Sequence, residues 1–139
     1  MALVEQGRSA VVAPSGLSAQ AVSFLGRADS LLAQAKTASP ADRFDLSYQA
    51  ALRVAGAVIA EKPGRRRKAD NGAWARVRRH APAYAPWAAR FEALTPRWED
   101  VRIGLARGVD ELEARRVQAL AADFFAEVEA DFGMLPDVA

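Results

Sequence analysis

The sequence has no cysteine and only one histidine, His80. Without thiols there is no disulfide framework, no thiolate metal site and no cysteine nucleophile. With one imidazole, a multi-histidine metal centre cannot be assembled inside a single chain. No apolar run approaches the ~18 residues that a membrane-spanning helix requires. The opening segment, MALVEQGRSAVVAPSG, lacks a basic flank followed by a long apolar stretch, so it does not read as a signal peptide. Phosphate-binding glycine loops, zinc-ligand spacings and serine-triad motifs are missing as well. No segment alternates apolar and polar residues for long enough to argue for a strand. The expectation is an all-α, cytoplasmic protein with no cofactor and no membrane association.

What is present suffices for one packed domain. The chain has 139 residues, of which 51% are apolar and 26% charged. Its net charge is only +2, but the charge is unevenly placed. Gly64 to His80, GRRRKADNGAWARVRRH, carries seven cations against one acid, Asp70. Leu120 to Ala139 carries five acids (Asp123, Glu127, Glu129, Asp131, Asp137) and no base. Such asymmetry is a field that a partner can feel. The two segments could equally neutralise each other, within one fold or across a dimer.

Apolar residues recur at three- and four-residue steps in several blocks, the spacing of one helical face. Residues 1–16 read as a flexible N-terminal arm, 17–133 as a helical bundle and 134–139 as a tail. A first helix is expected over Ser18–Thr37, with Ser18 as N-cap. A second starts at Ser39-Pro40, because proline's missing N–H is harmless at the first helical position, and ends at Lys62-Pro63-Gly64. The connection is short, so these two helices should pack antiparallel. Arg65 to Asn71 reads as an exposed loop. A short third helix is expected over Gly72–His80, with Asp70 or Asn71 capping it, Trp74 and Val77 facing inward, and Pro82 interrupting the chain. A fourth follows over Ala83–Leu94, and Thr95-Pro96 is expected to break or kink it. Arg97–Leu105 adds a turn or two carrying Trp98, Val101 and Leu105. The last helix spans Asp110–Phe132, with Asp110 as N-cap, Leu112, Val117, Leu120, Ala121, Phe124, Phe125 and Val128 on its apolar face, and Gly133 at the left-handed position after it.

Four groups of residues carry candidate chemistry. His80 is a candidate general base, and Arg76 lies four residues before it, one turn away on the same helical face. An arginine holding a phosphate beside a histidine moving a proton is a workable pair for RNA cleavage. The plainer reading is two residues on a polar face, with His80 favoured at a helix C-terminus. Arg65, Arg66, Arg67 and Lys68, with Arg76, Arg78 and Arg79, form the candidate phosphate-binding set, since cations displace counterions from a nucleic-acid backbone. Trp74, Tyr84, Trp87 and Trp98 interleave with these arginines and could stack on bases, although aromatics at helical spacing are more often core. Asp123, Glu127 and Asp131 fall at four-residue steps. They are weighed as a divalent-ion site and, more simply, as the polar face of the last helix.

The layout resembles the HEPN superfamily, in particular a small stand-alone actinobacterial branch. The resemblance runs from the helix pair joined at SPADRFDLSYQAALRVAGAVIA, through NGAWARVRRHAPAYAPWAARFEAL, to DELEARRVQALAADFFAEVEADFG, about Leu17 to Phe132. Trp74, Pro82 and Trp87 are its most specific part. It implies an up-and-down bundle of four to five helices, often paired as a dimer. In the family's ribonuclease members an arginine, four to six residues, then a histidine form the active motif. Counting back from His80, those positions are Ala75, Trp74 and Ala73, and Arg76 leaves only three residues between. The motif is therefore absent as usually written. Family members without it serve as binding or assembly modules. The expected function is a non-catalytic, dimeric bundle that binds RNA, a nucleotide or a partner protein. The alternatives are a degenerate metal-independent, toxin-like ribonuclease using Arg76 and His80, and a structural partner of a nucleotidyltransferase-like protein.

Overall fold

The computed structural model describes residues 11–12, 16–61, 72–105 and 107–136. Five α-helices account for most of them: α1 (Ala19–Ala35), α2 (Pro40–Ala60), α3 (Gly72–His80), α4 (Ala85–Arg102) and α5 (Glu111–Asp131). A single 3-10 turn, Pro82–Tyr84, separates α3 from α4. Two-residue strands β1 (Val11–Val12) and β2 (Leu135–Pro136) pair antiparallel, joining the two ends of the chain. The all-helical expectation holds for the body of the protein.

The helix ends follow local chemistry. The Ser18 hydroxyl accepts from the Ala21 N–H at 3.0 Å, satisfying a donor that the first turn leaves free. The Asp110 carboxylate does the same for the Glu113 N–H at 2.9 Å. At the other end of α5, Gly133 takes φ +72°, where a Cβ would be strained. There the Met134 N–H donates to the Glu129 carbonyl and the Gly133 N–H to the Ala130 carbonyl, closing the last turn. Ser39 departs from expectation: its side chain makes no capping bond. Pro40 alone opens α2, because its fixed φ is already helical. The expected cap of α3 at Asp70 or Asn71 lies outside the described residues.

Polar ties between helix ends set the topology. The Ser18 N–H donates to Glu61 at 2.9 Å, and Arg43 donates to the Ala35 and Ala38 carbonyls at 3.0 and 2.9 Å. So α1 and α2 run antiparallel, start against end. Arg43 also pairs with Glu111 at 2.6 Å, which brings the starts of α2 and α5 together. Arg97 near the end of α4 donates twice to Glu113 at the start of α5, both at 2.9 Å. At the opposite pole the Tyr84 hydroxyl donates to Asp131 at 2.7 Å. Hence α4 runs against both α2 and α5, and the bundle is up-and-down. The central helix is α2, which packs on each of the other four. Its Phe44, Tyr48, Ala51, Val54, Ala55 and Val58 are buried.

The break, one of the two outcomes expected in α4, and the apolar placement of two leucines are not found. The helix does not break at Thr95-Pro96 but runs on to Arg102. Interior proline costs about 3 kcal/mol through its lost N–H and its ring clash. Tertiary contacts offset that cost: Trp98 stacks on Tyr48 with centroids 4.2 Å apart and donates its indole N–H to Asp45, and Arg97 grips Glu113. Leu105 and Leu112, assigned to apolar faces from spacing, are 66% and 58% exposed. The buried stripe of α5 is Ala114, Val117, Ala121, Phe124 and Val128, and Leu112 falls off it by rotation.

A chain of buried hydrogen bonds fixes α3 against the bundle. The Trp74 indole N–H donates to the Tyr48 hydroxyl at 2.9 Å. An indole nitrogen can only donate, so Tyr48 accepts there and its proton goes to Thr95 Oγ1, 2.6 Å away. Thr95 in turn donates to the Phe91 carbonyl at 3.1 Å. Trp74 also stacks on Phe91 at 5.1 Å, with the planes 13° apart. One indole thus anchors α3 to α2 and α4 together.

Candidate nucleic-acid interface

The placement of the cations follows from how α3 sits. Trp74 and Val77 are buried, three residues apart on one side of the helix. At 100° per residue, Arg79 then falls opposite the buried side and Arg76 on the outer side next to it, with Arg78 and His80 on the two flanks. Burial agrees: Arg78 and Arg79 are exposed, and Arg76 and His80 are half-buried. Arg78 and Arg79 in the last turn also suit the negative end of the helix dipole. The helix runs unbroken through Arg76 and His80, so that pair shares a face as expected. The structure thus gathers Arg76, Arg78, Arg79 and His80 on one short helix. Arg65, Arg66, Arg67 and Lys68 lie outside the described residues.

Arg78 is not idle. Both of its terminal nitrogens bond the two carboxylate oxygens of Glu92 on α4, one of them at 3.0 Å. Each group leaves roughly half of its side chain in solvent. The bonds to Arg78 hold the Glu92 carboxyl below the usual glutamate range, and those to Glu92 raise Arg78 further. Sequence spacing gives no hint of this pair, since its members are fourteen residues apart on different helices.

The aromatic residues go to the core rather than to a ligand. Trp74 and Tyr84 are buried, with their polar atoms committed to Tyr48 and Asp131. Burial first, and then the bond to Asp131, push the Tyr84 phenol well above its ordinary range. Trp87 stacks on Phe124 at 5.2 Å, and the Arg90 guanidinium lies over its ring. Trp98 stacks on Tyr48, with Arg102 over its ring. Each of these two half-buried indoles thus has an aromatic ring stacked on it and a guanidinium over it. Base stacking on these residues, one of the sequence readings, would have to compete with those contacts.

The carboxylates of α5 do not converge either. Asp123, Glu127 and Asp131 are exposed, and Asp131 is committed to Tyr84. Among the described residues no three His, Asp or Glu side chains come together as a metal cluster would need. The plainer reading, a polar helix face, describes them. Glu129, half-buried beside Asp29 of α1, has its carboxyl pushed up by burial and then by that neighbour's charge. Among the described residues no helix is long and apolar enough to cross a membrane.

No curated protein and no solved structure matches the chain. A family model, SAV_6107-like HEPN, matches residues 33–129, from the last turn of α1 to the last turn of α5. That span covers more than half of the chain and four of the five helices, including the one that carries the arginines. With the up-and-down bundle built as above, the chain belongs to the SAV_6107-like HEPN family.

Proposed function

We propose that this protein is a non-catalytic HEPN module of the cytoplasm that binds RNA through the basic segment ending in α3, and acts as a homodimer. The observation that carries the reading is the outer side of α3. One nine-residue helix, anchored from behind by Trp74, presents Arg76 and Arg79 outward with Arg78 on its flank. Cations on a rigid helix, continued by the Arg65–Lys68 run in sequence, suit a phosphate backbone. Against catalysis stands the spacing: three residues separate Arg76 from His80, where the ribonuclease members carry four to six.

A second reading keeps those two residues as a degenerate ribonuclease site, because α3 does place them one turn apart on one face. A single gel decides. Labelled structured and single-stranded RNA is incubated with the wild type and with His80→Ala at low and moderate salt. Salt-sensitive retention without cleavage, equal in both proteins, is the expected result. Cleavage that disappears in His80→Ala would establish the enzyme instead. Replacing Arg76 and Arg79 by alanine should weaken retention and flatten its salt dependence. Retention unchanged by that replacement removes the surface assignment. Light scattering on the same samples reads the mass, and a monomer at working concentration refutes the dimer.

A further inference from the structure

We infer that this surface recognises the phosphodiester backbone and not the bases, and that Glu92 competes with the phosphate for Arg78. The inference rests on the proposed nucleic-acid binding and names what is read there. Three observations lead to it. The aromatic residues interleaved with the cations are turned inward or covered. Trp74 and Tyr84 are buried, and Trp87 is stacked with Phe124 and has the Arg90 guanidinium over its ring. Sequence-tolerant stacking on single strands needs an open ring face, and here a base would first have to displace contacts already made.

The remaining donors are guanidinium groups. A guanidinium presents a planar fork that grips two oxygens of a carboxylate or of a phosphate with the same geometry. That grip is already in place: Glu92 holds Arg78 with two parallel bonds. A phosphate arriving at Arg78 fits where the Glu92 carboxylate now sits. Because both partners are about half exposed, water screens the pair and exchange is cheap. Glu92 therefore removes one cation from the surface until a backbone with enough neighbouring charge displaces it. Isolated anions gain little at such a site, whereas a polyanion that also meets Arg76 and Arg79 gains from all three.

The test titrates labelled oligo(U), oligo(A) and a mixed-sequence RNA of equal length into the wild type, Glu92→Gln and Glu92→Gln/Arg78→Ala. Anisotropy reads binding, and tryptophan emission is followed in the same cuvette. Unlabelled polyphosphate serves as competitor. Affinities within about threefold of one another across the oligomers are expected, with tryptophan emission unchanged and polyphosphate displacing the RNA. Glu92→Gln should bind severalfold more tightly, and its log–log salt slope should steepen by about 0.7 for one added phosphate contact on a single strand. The gain should vanish in the double variant. Quenched tryptophan emission, or a preference for one oligomer well beyond that range, overturns the base-blind reading while leaving nucleic-acid binding intact. Unchanged or weaker binding by Glu92→Gln overturns the role given to Glu92. Failure of every oligomer to bind overturns the proposed function and this inference with it.

Discussion

Replacing Tyr48 by phenylalanine removes one oxygen from the centre of the bundle and little else. That oxygen accepts the Trp74 indole N–H at 2.9 Å and donates to Thr95 Oγ1 at 2.6 Å. Tyr48 is 1% exposed and Trp74 5%, so water cannot take its place. The indole N–H is then buried without a partner, which costs about 1–3 kcal/mol. Thr95 loses a donor but keeps its own bond to the Phe91 carbonyl, which adds about 0.5–1 kcal/mol. The ring itself stays, with its contacts to Trp74, Phe91 and Trp98. The total is about 1.5–4 kcal/mol, or ~5–12 °C in melting temperature at about 3 °C per kcal/mol for a chain of this length. Urea denaturation with an unchanged m-value would measure it. Thr95→Val offers the internal check. Alone, it strands the Tyr48 hydroxyl, but in the Tyr48→Phe background that hydroxyl is already gone. The two losses should therefore fall short of additivity by about 1 kcal/mol. Hydrogen exchange of the α3 amides should quicken in Tyr48→Phe, because Trp74 anchors that helix. A loss below about 0.5 kcal/mol, within the range of ordinary surface changes, would refute the argument, and strict additivity would refute the coupling of Tyr48 to Thr95.

Other perturbations follow from the same geometry. Arg43→Ala strips the Ala35 and Ala38 carbonyls and Glu111 of a shared donor whose side chain is only 12% exposed, so a loss of about 2–3 kcal/mol is expected by denaturation. Arg43→Lys should recover less than half, since an ammonium cannot span three acceptors as the fork does. Gly56→Ala would put a Cβ 2.7 Å from the Phe24 ring, so that ring or the helix that carries it must shift. The net destabilisation, about 1–2 kcal/mol after alanine's better helix propensity, is readable as a lowered melting temperature. Glu129 has a raised folded pKa, so its contribution to stability is fully present below the unfolded value near 4.3 and is lost as pH rises through the folded value. Glu129→Gln should therefore raise the melting temperature at neutral pH and leave it unchanged in strong acid; an equal gain at both pH values would refute the charge argument. Glu92 and Glu111 run the other way. Their carboxyls are lowered by Arg78 and by Arg43, so what they contribute is present above the unfolded value and fades as pH falls through the lower folded one.

Helix starts and stops were legible where the signal is local. Ser18, Pro40, Asp110 and Gly133 act within one turn of themselves, through a hydroxyl, a fixed φ, a carboxylate and a left-handed backbone. The outward set of α3 was legible for the same reason, since two apolar residues in nine fix the helix rotation. The break expected at Pro96 was a local inference too, and there the sum of distant contacts prevailed.

The sequence by itself determined a helical body, the approximate spans of α1, α2, α3 and α5 but not that of α4, the antiparallel α1–α2 pair and the family. Those properties rest on backbone geometry and on apolar periodicity, both of which act over a few residues. Only the tertiary structure decided that Trp74, Tyr48 and Thr95 form one ordered chain of hydrogen bonds, that Glu92 holds Arg78, and that each tryptophan is stacked on an aromatic ring of the core. Each of these joins residues from different helices. Their meeting depends on how the helices rotate and cross, and no periodicity within a single helix encodes that.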